Sequence, residues 1–301
     1  MTCSTQLGNT GFNTSPFCLT TIRRFVFVPT KDSSGALNSL SSSNALLKAE
    51  WQAKCDESNK LDRFYPTNRF KNVAPETSEP NVKEYDDQST VFISDGVIVF
   101  NGVAPQLSPY VREQLNKFNG KEIGVNLIDD KGNIAYYDKD GDGTFYPIPL
   151  DKEALFHSKF MFAKDSDPSE TDIQFQLQKG VKLDLIKVID EDDLDFDALS
   201  YDDIYGLIDV NVTTSGITTT NITVELIDVF GADVEGLTAS DVSLYNNTDS
   251  ASVAVSSVTA QTGDPNKYDI AFTDQTAGDE MLIQFSLSRY DVPDTTVDIP
   301  T

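Results

Sequence analysis

The last third of the chain restricts the fold most. From about Val212 onward, short segments rich in Val, Ile, Thr and aromatic residues recur at even spacing: "NITVELIDVFG", "DVSLYN", "SVAVSSVTA", "KYDIAFTD" and "EMLIQFSLSRY". Each largely alternates apolar with polar residues, which on an extended backbone sends one set of side chains inward and the other outward. Turn-forming residues separate them at Gly231-Ala232-Asp233, Asn246-Asn247, Gly263-Asp264-Pro265 and Ala277-Gly278. Asn, Asp and Gly reach the backbone angles that a reversal needs. Such spacing predicts an immunoglobulin-like β-sandwich over 211–301. No cysteine pair or core Trp in that stretch marks an antibody-like domain. Alternation places most of Phe230, Tyr245, Tyr268, Phe272 and Phe285 in its core.

The preceding 210 residues mix strands with helices. "IRRFVFVPT" (Ile22–Thr30) reads as a strand, and "NALLKAEWQAKCDES" (Asn44–Ser58) as a helix with Leu47, Trp51 and Cys55 at four-residue spacing. "TVFISDGVIVF" predicts two strands turning at Asp95-Gly96. "SPYVREQLNKFNG" predicts a helix with Ser108 as cap, Pro109 in its first position and Gly120 past its end. A hairpin through Asp130-Lys131-Gly132 follows, and "DIQFQLQ" (Asp172–Gln178) closes the unit. The fold class expected is therefore mainly β. An α+β N-terminal domain over 1–210, a β-barrel or sandwich with one or two helices, precedes the C-terminal sandwich.

Between strand and helix signals lies a polar, proline-bearing connection, Tyr65–Thr90. Ordering it costs roughly 1–2 kcal/mol per residue, with few apolar groups to offset that. It reads as an arm that docks on a neighbouring subunit, with Phe64, Tyr65, Phe70, Val73 and Val82 as anchors.

"DKDGDGTFYP" raises a metal question. Asp138, Asp140 and Asp142 take the first, third and fifth places of an EF-hand loop, and Gly143 the sixth. The twelfth place, where a bidentate glutamate belongs, holds Pro149, and the flanks are strand-like. The expectation is an Asp/Gly hairpin turn, with Asp138, Asp140 and Asp142 as the candidate Ca²⁺ ligands and no other cofactor implied.

Charge is the strongest compositional signal. The chain has 23 Lys and Arg against 48 Asp and Glu, net −25. Residues 1–160 hold 17 basic and 20 acidic side chains, whereas 161–301 hold 6 and 28. Such a surface does not replace the counterions of nucleic acid and so argues against binding it. The acid-rich stretch "DEDDLDFDALSYDD" (Asp190–Asp203) reads as a solvated acidic linker or face. No run of about 18 apolar residues suggests a membrane-spanning helix. The N-terminus lacks the basic start and apolar centre of a secretory leader, and Cys3, Cys18 and Cys55 lack metal-ligand spacing. Reduced thiols, as in a chain folded in a cytoplasm, are the expectation. His157 is the only histidine, and no nucleophile elbow, phosphate loop or zinc-protease motif occurs, so no enzyme is expected.

The block "VFISDGVIVF … SPYVREQLNKFNGKEIGVNLIDDKGNIAYYDKDGDGTFYPIPL" resembles a region of virion structural proteins of tailed phages infecting Bacteroidetes-type bacteria. "GADVEGLTASDVSLYNN" resembles the linker strand of bacterial and phage immunoglobulin-like modules. Together these cover about half the chain. The resemblance implies a non-enzymatic, self-assembling protein of the tail tube, or of a tail or neck ring, as in a hexameric ring. Its partners would be other virion proteins, with DNA passing through without specific binding. A capsid decoration protein or a host-surface adhesin acting through the C-terminal module is the alternative.

Overall fold

The run "RFVFVP" is apolar without alternation, and the fold buries both of its faces. In this computed structural model, which describes residues 19–94, 96–105, 107–153, 156–164 and 168–301, the protein is 45% strand and 10% helical. It is mainly β. The chain divides into two compact units, Met1–Gly206 and Leu207–Thr301.

In chain order, the described elements of the first unit are β1 (Ile22–Pro29), α1 (Lys48–Cys55), β2 (Tyr65–Pro66), β3 (Lys71–Thr77), β4 (Asn81–Glu84), β5 (Thr90–Ser94), β6 (Ile98–Pro105) and α2 (Pro109–Asn116). β7 (Ile123–Asp129), β8 (Ile134–Tyr137), β9 (Ile148–Pro149), β10 (His157–Met161), β11 (Glu170–Gln176) and β12 (Ile186–Ile189) complete it. One sheet runs β12-β8-β7-β1-β2, with β9 also on β7, and a second runs β10-β11-β6-β3. Odd-numbered residues Phe25, Phe27, Val125 and Leu127 face a core shared with Phe70, Phe100, Ile173 and Phe175 of the second sheet. Even-numbered Val26, Val28 and Ile128 face a separate core built with Trp51, Cys55, Phe64, Phe145, Phe196 and Ile204. The strand period of two thus splits β1 and β7 between two cores, which explains their continuous apolar sequence.

Asp190–Asp203 presents a solvated acidic face, with Glu191, Asp192, Asp193, Asp195, Asp197 and Asp202 exposed, and it also closes the second core. Its apolar residues Phe196 and Ala198 are buried, as is Ile204 just beyond it. Arg24, only 1% exposed, holds this segment against β1. Its Nε donates to Thr67 O at 2.8 Å, Nη1 to Ala198 O at 2.8 Å and Ser200 O at 3.1 Å, and Nη2 to Ile204 O. The acids serve the same packing. Asp195 Oδ1 accepts from Lys48 N at the start of α1, and Asp203 Oδ1 accepts from Lys48 Nζ at 2.6 Å. α1 begins at Lys48 rather than Asn44, because Asn44–Leu46 forms a separate 3₁₀ turn. α2 follows its sequence signals: Ser108 Oγ accepts from Val111 N, Pro109 is the first residue, and Gly120 has φ +73°.

The second unit is a β-sandwich. Its strands are β13 (Ile208–Ser215), β14 (Asn221–Asp228), β15 (Val242–Asn246), β16 (Ala251–Val253), β17 (Val255–Gln261), β18 (Asp264–Phe272), β19 (Glu280–Phe285), β20 (Tyr290–Asp291) and β21 (Thr295–Asp298). The sheets run β17-β18-β14-β13-β20 and β16-β15-β19-β21. Taking β13, β14, β15, β17, β18, β19 and β21 as strands A to G reproduces the ABED and CFG sheets of the immunoglobulin fold. The core lies between them, with Ile222, Val224, Leu226, Ile270, Met281 and Ile283 fully buried. Tyr268 OH donates to Val234 O at 3.0 Å inside it. Phe272 is also buried and Phe285 packs against the core, so three of the five aromatics belong to it as expected, whereas Phe230 and Tyr245 are exposed. β13 starts at Ile208, placing the division of the chain at Gly206–Leu207 instead of 210–211.

Candidate functional site

The expected arm, Tyr65–Thr90, folds back onto its own unit over its first half, to Thr77. β2 pairs with β1 through Phe27↔Tyr65, and β3 pairs with β6 through Thr77↔Ile98. Phe64 and Phe70 are 1% exposed and Val73 is 9% exposed, all inside the first unit's cores. Tyr65 is half-buried against Phe118, their ring centroids 5.3 Å apart. Four of the five anchors assigned to a neighbouring subunit therefore pack intramolecularly. The polar sequence hid this because β3 carries only one buried side chain, Val73, among exposed ones.

What projects is the continuation of that hairpin. Past Thr77 and Ile98 the two chains bend and pair again as β4 and β5, with Val82 opposite Phe92 and Lys83 opposite Val91. Among the described residues β4 and β5 pair only with each other. The bend is held by Ser78, whose N–H donates to Val97 O and whose Oγ accepts from Val97 N, both at 2.9 Å. A Cβ on Gly96 would fall 1.8 Å from Ser78 O, so only glycine fits there. The tip closes by Tyr85 N donating to Ser89 O, with Gln88 at φ +64°.

Both faces of this ribbon carry exposed apolar side chains, beside Glu84 and Thr90 on one and Lys83 on the other. Val82 and Phe92 share one face and are 58% and 57% exposed; Tyr85, Val91 and Ile93 lie on the other at 47%, 50% and 61%. An isolated two-stranded ribbon is marginal in water, and a solvated one ordinarily shows at least one polar face. The other long edge of its parent sheet is protected: β10 is capped by α2, with Ser158 N donating to Asn116 Oδ1 at 2.8 Å and Arg112 Nε donating to Ser158 O. Capping of that kind covers free strand edges.

A second feature of the first unit is a cleft of about 340 Å³ lined by Tyr137, Lys139, Tyr146, Pro147, Pro149 and Lys179, among others. It is built by the Asp/Gly loop. Tyr137 and Tyr146 bridge across that loop, and Phe145 bridges to Leu40. Gly141 and Gly143 take φ of +72° and +82°, which favour glycine. The three aspartates do not converge. Asp138 Oδ1 accepts from Gly143 N at 3.1 Å, Asp140 Oδ2 accepts from Tyr146 OH at 3.2 Å, and Asp142 Oδ1 accepts from Thr144 N at 2.9 Å. Each carboxylate thus satisfies a donor of its own turn, and among the described residues no group of three or more His, Cys, Asp or Glu is placed to hold a metal. Burial and the neighbouring Asp140 hold the Tyr146 phenol above its ordinary value.

Cys55 is fully buried, and burial pushes its thiol up, so it offers no thiolate. His157 lies on β10 and is half-buried. The sequence missed the five-residue apolar surface of the hairpin except at Val82; the run "VFIS" was its only signal. The strand pair expected to turn at Asp95-Gly96, where Asp95 lies outside the described residues, does not form, since β5 pairs with β4 and β6 with β3. No helix among the described residues is long and apolar enough to cross a membrane. Compared with protein-family models and with curated proteins, the chain matches none.

Proposed function

We propose that the chain is a self-assembling structural subunit of a tailed-phage virion, forming a ring or tube of the tail or neck and carrying no enzymatic activity. The observation that carries this reading is the hairpin, which exposes apolar side chains on both faces and has no partner surface in its own unit among the described residues. Covering such a ribbon by association removes both its apolar surface and its open strand edges from water. The net charge of −25 supports passage of DNA without adhesion, since the same sign repels the phosphate backbone. The resemblance of Val91–Leu150 to virion proteins points the same way. On this reading the protein assembles in the host bacterial cytoplasm and resides in the virion beside other virion proteins.

A second reading, a capsid decoration protein or adhesin, draws on the second unit. Its sandwich is strongly acidic and exposes Phe230 at 53%. Negative-stain electron microscopy of the purified full chain separates them. Closed rings, six-fold or otherwise, or stacked tubes are expected. Trimers favour decoration, and a monomer at high concentration rejects the proposal.

A further inference from the structure

We propose that the β4–β5 hairpin of one copy seats in the Tyr137–Tyr146 cleft of a second copy. This rests on the self-assembly reading and names the two surfaces that meet. A ribbon with exposed apolar side chains on both faces is not covered by lying on a flat surface, which shields one face only; it needs a concave partner. The cleft, at about 340 Å³, lies at the lower end of the volumes that hold a ligand group. Its walls offer apolar matter from Tyr137, Tyr146, Pro147 and Pro149.

Charge selects this partner over others. Two chains of net −25 repel as they approach, so a contact between copies must bring opposite charges together locally. The hairpin supplies acids at its tip, with Glu84, Asp86 and Asp87 all exposed. The cleft supplies Lys139 and Lys179, both exposed, and no carboxylate lines it. The loop beside it holds Asp138, Asp140 and Asp142, whose carboxylates accept from Gly143 N, Tyr146 OH and Thr144 N, so the two lysines are the positive groups of the cleft itself. Complementarity of this kind steers encounter and fixes register. No cleft-lining residue belongs to the hairpin, so two copies could exchange hairpins as a two-fold dimer, or each could give a hairpin to one neighbour and a cleft to the other, the heterologous contact that a ring or tube requires. Contacts of that class propagate into closed rings or open filaments and do not stop at a two-fold dimer.

The test is charge exchange in the full-length chain, followed by sedimentation velocity over a concentration series at low salt, where such contacts are least screened. Glu84→Lys with Asp86→Lys reverses the tip while leaving the turn contact of Asp87 with Ser89 in place, and Lys139→Glu with Lys179→Glu reverses the cleft. All four side chains are exposed, so the variants keep the wild-type circular dichroism. Each pair alone should weaken association about tenfold or more, and the four changes together should restore it. Should either reversal turn out to misfold, Val82→Ser with Phe92→Ser, also on exposed positions, must weaken assembly by a similar factor. Assembly that survives cleft reversal, or that the four-fold exchange fails to restore, overturns this docking while leaving self-assembly standing. A wild-type chain that stays monomeric overturns both.

Discussion

Arg24 shows how a single buried charge is tolerated at 1% exposure. Burial pulls its guanidinium down to about 10, which leaves it charged at neutral pH. What offsets the desolvation is geometry: the planar fork reaches four backbone carbonyls at once, and the Tyr201 ring lies 5.2 Å from Cζ. A lysine cannot reproduce that fork. Arg24→Met strands the carbonyls of Ala198 and Ile204 without their donor inside the second core, so we expect it to destabilise the first unit by about 3 kcal/mol. Arg24→Lys should recover only part of this. The readout is unambiguous because the chain has one tryptophan, Trp51, which is fully buried in that same core. Guanidinium unfolding followed by its fluorescence reports the first unit alone, and a midpoint unchanged in Arg24→Met would refute this role for the arginine.

Among the elements, the β7–β8 hairpin depends on one carboxylate. Asp129 Oδ1 accepts from Lys131 N at 2.9 Å and Asn133 N at 3.0 Å, while Oδ2 accepts from Asn133 Nδ2 and from Thr20 N and Oγ1. Burial alone would raise its pKa, but these donors outweigh burial and hold it below the ordinary carboxylate value. A depressed folded-state value means the unfolded chain takes up the proton first. The stabilisation is therefore complete above the unfolded value of about 4 and is lost as pH falls through the folded one. We expect Asp129→Asn to cost roughly 1–3 kcal/mol at neutral pH, with the gap to wild type shrinking steadily below about pH 4. Trp51-monitored unfolding across that range checks it, and a gap independent of pH would rule out the carboxylate's charge as the cause. This turn was legible in the sequence as Asp130-Lys131-Gly132, and α2 was legible through Ser108, Pro109 and Gly120, because caps and turns are local chemistry. β3 was not. Its sequence, "KNVAPET", contains a proline and a single core side chain, and it becomes a strand through its long-range pairing with β6. The same limit hid the fate of Phe64 and Phe70: an aromatic in a polar stretch looks alike whether it anchors a neighbour or its own core.

At the scale of the whole molecule, the division into two units follows from where the apolar residues sit in the sequence. The second unit's core draws only on residues from Val210 to Ile299, and every strand pairing from β13 to β21 closes within it. The evenly spaced strand signals made this sandwich readable in advance, whereas the layer formed by Phe196, Ala198 and Ile204 was masked by surrounding acids. A complete core and a size within the ordinary domain range make the fragment Leu207–Thr301 independently stable. It should fold when expressed alone, with the far-ultraviolet dichroism of a β protein and a cooperative thermal transition. Charge gives the expectation a second, sharper part. This stretch contains 15 acidic residues against two basic ones, Lys267 and Arg289. Lys267 sits between Glu225 and Asp264, at 3.7 and 3.8 Å, and so relieves little of the total. The compact state is thus strained by self-repulsion that salt screens, because the Debye length shrinks from about 30 Å at 0.01 M to about 8 Å at 0.15 M. The transition midpoint of the isolated fragment should accordingly rise with sodium chloride over that range. A fragment that is disordered at every salt concentration would mean that the sandwich depends on the first unit; one that folds but does not respond to salt would mean that its acids are spaced too widely to strain it.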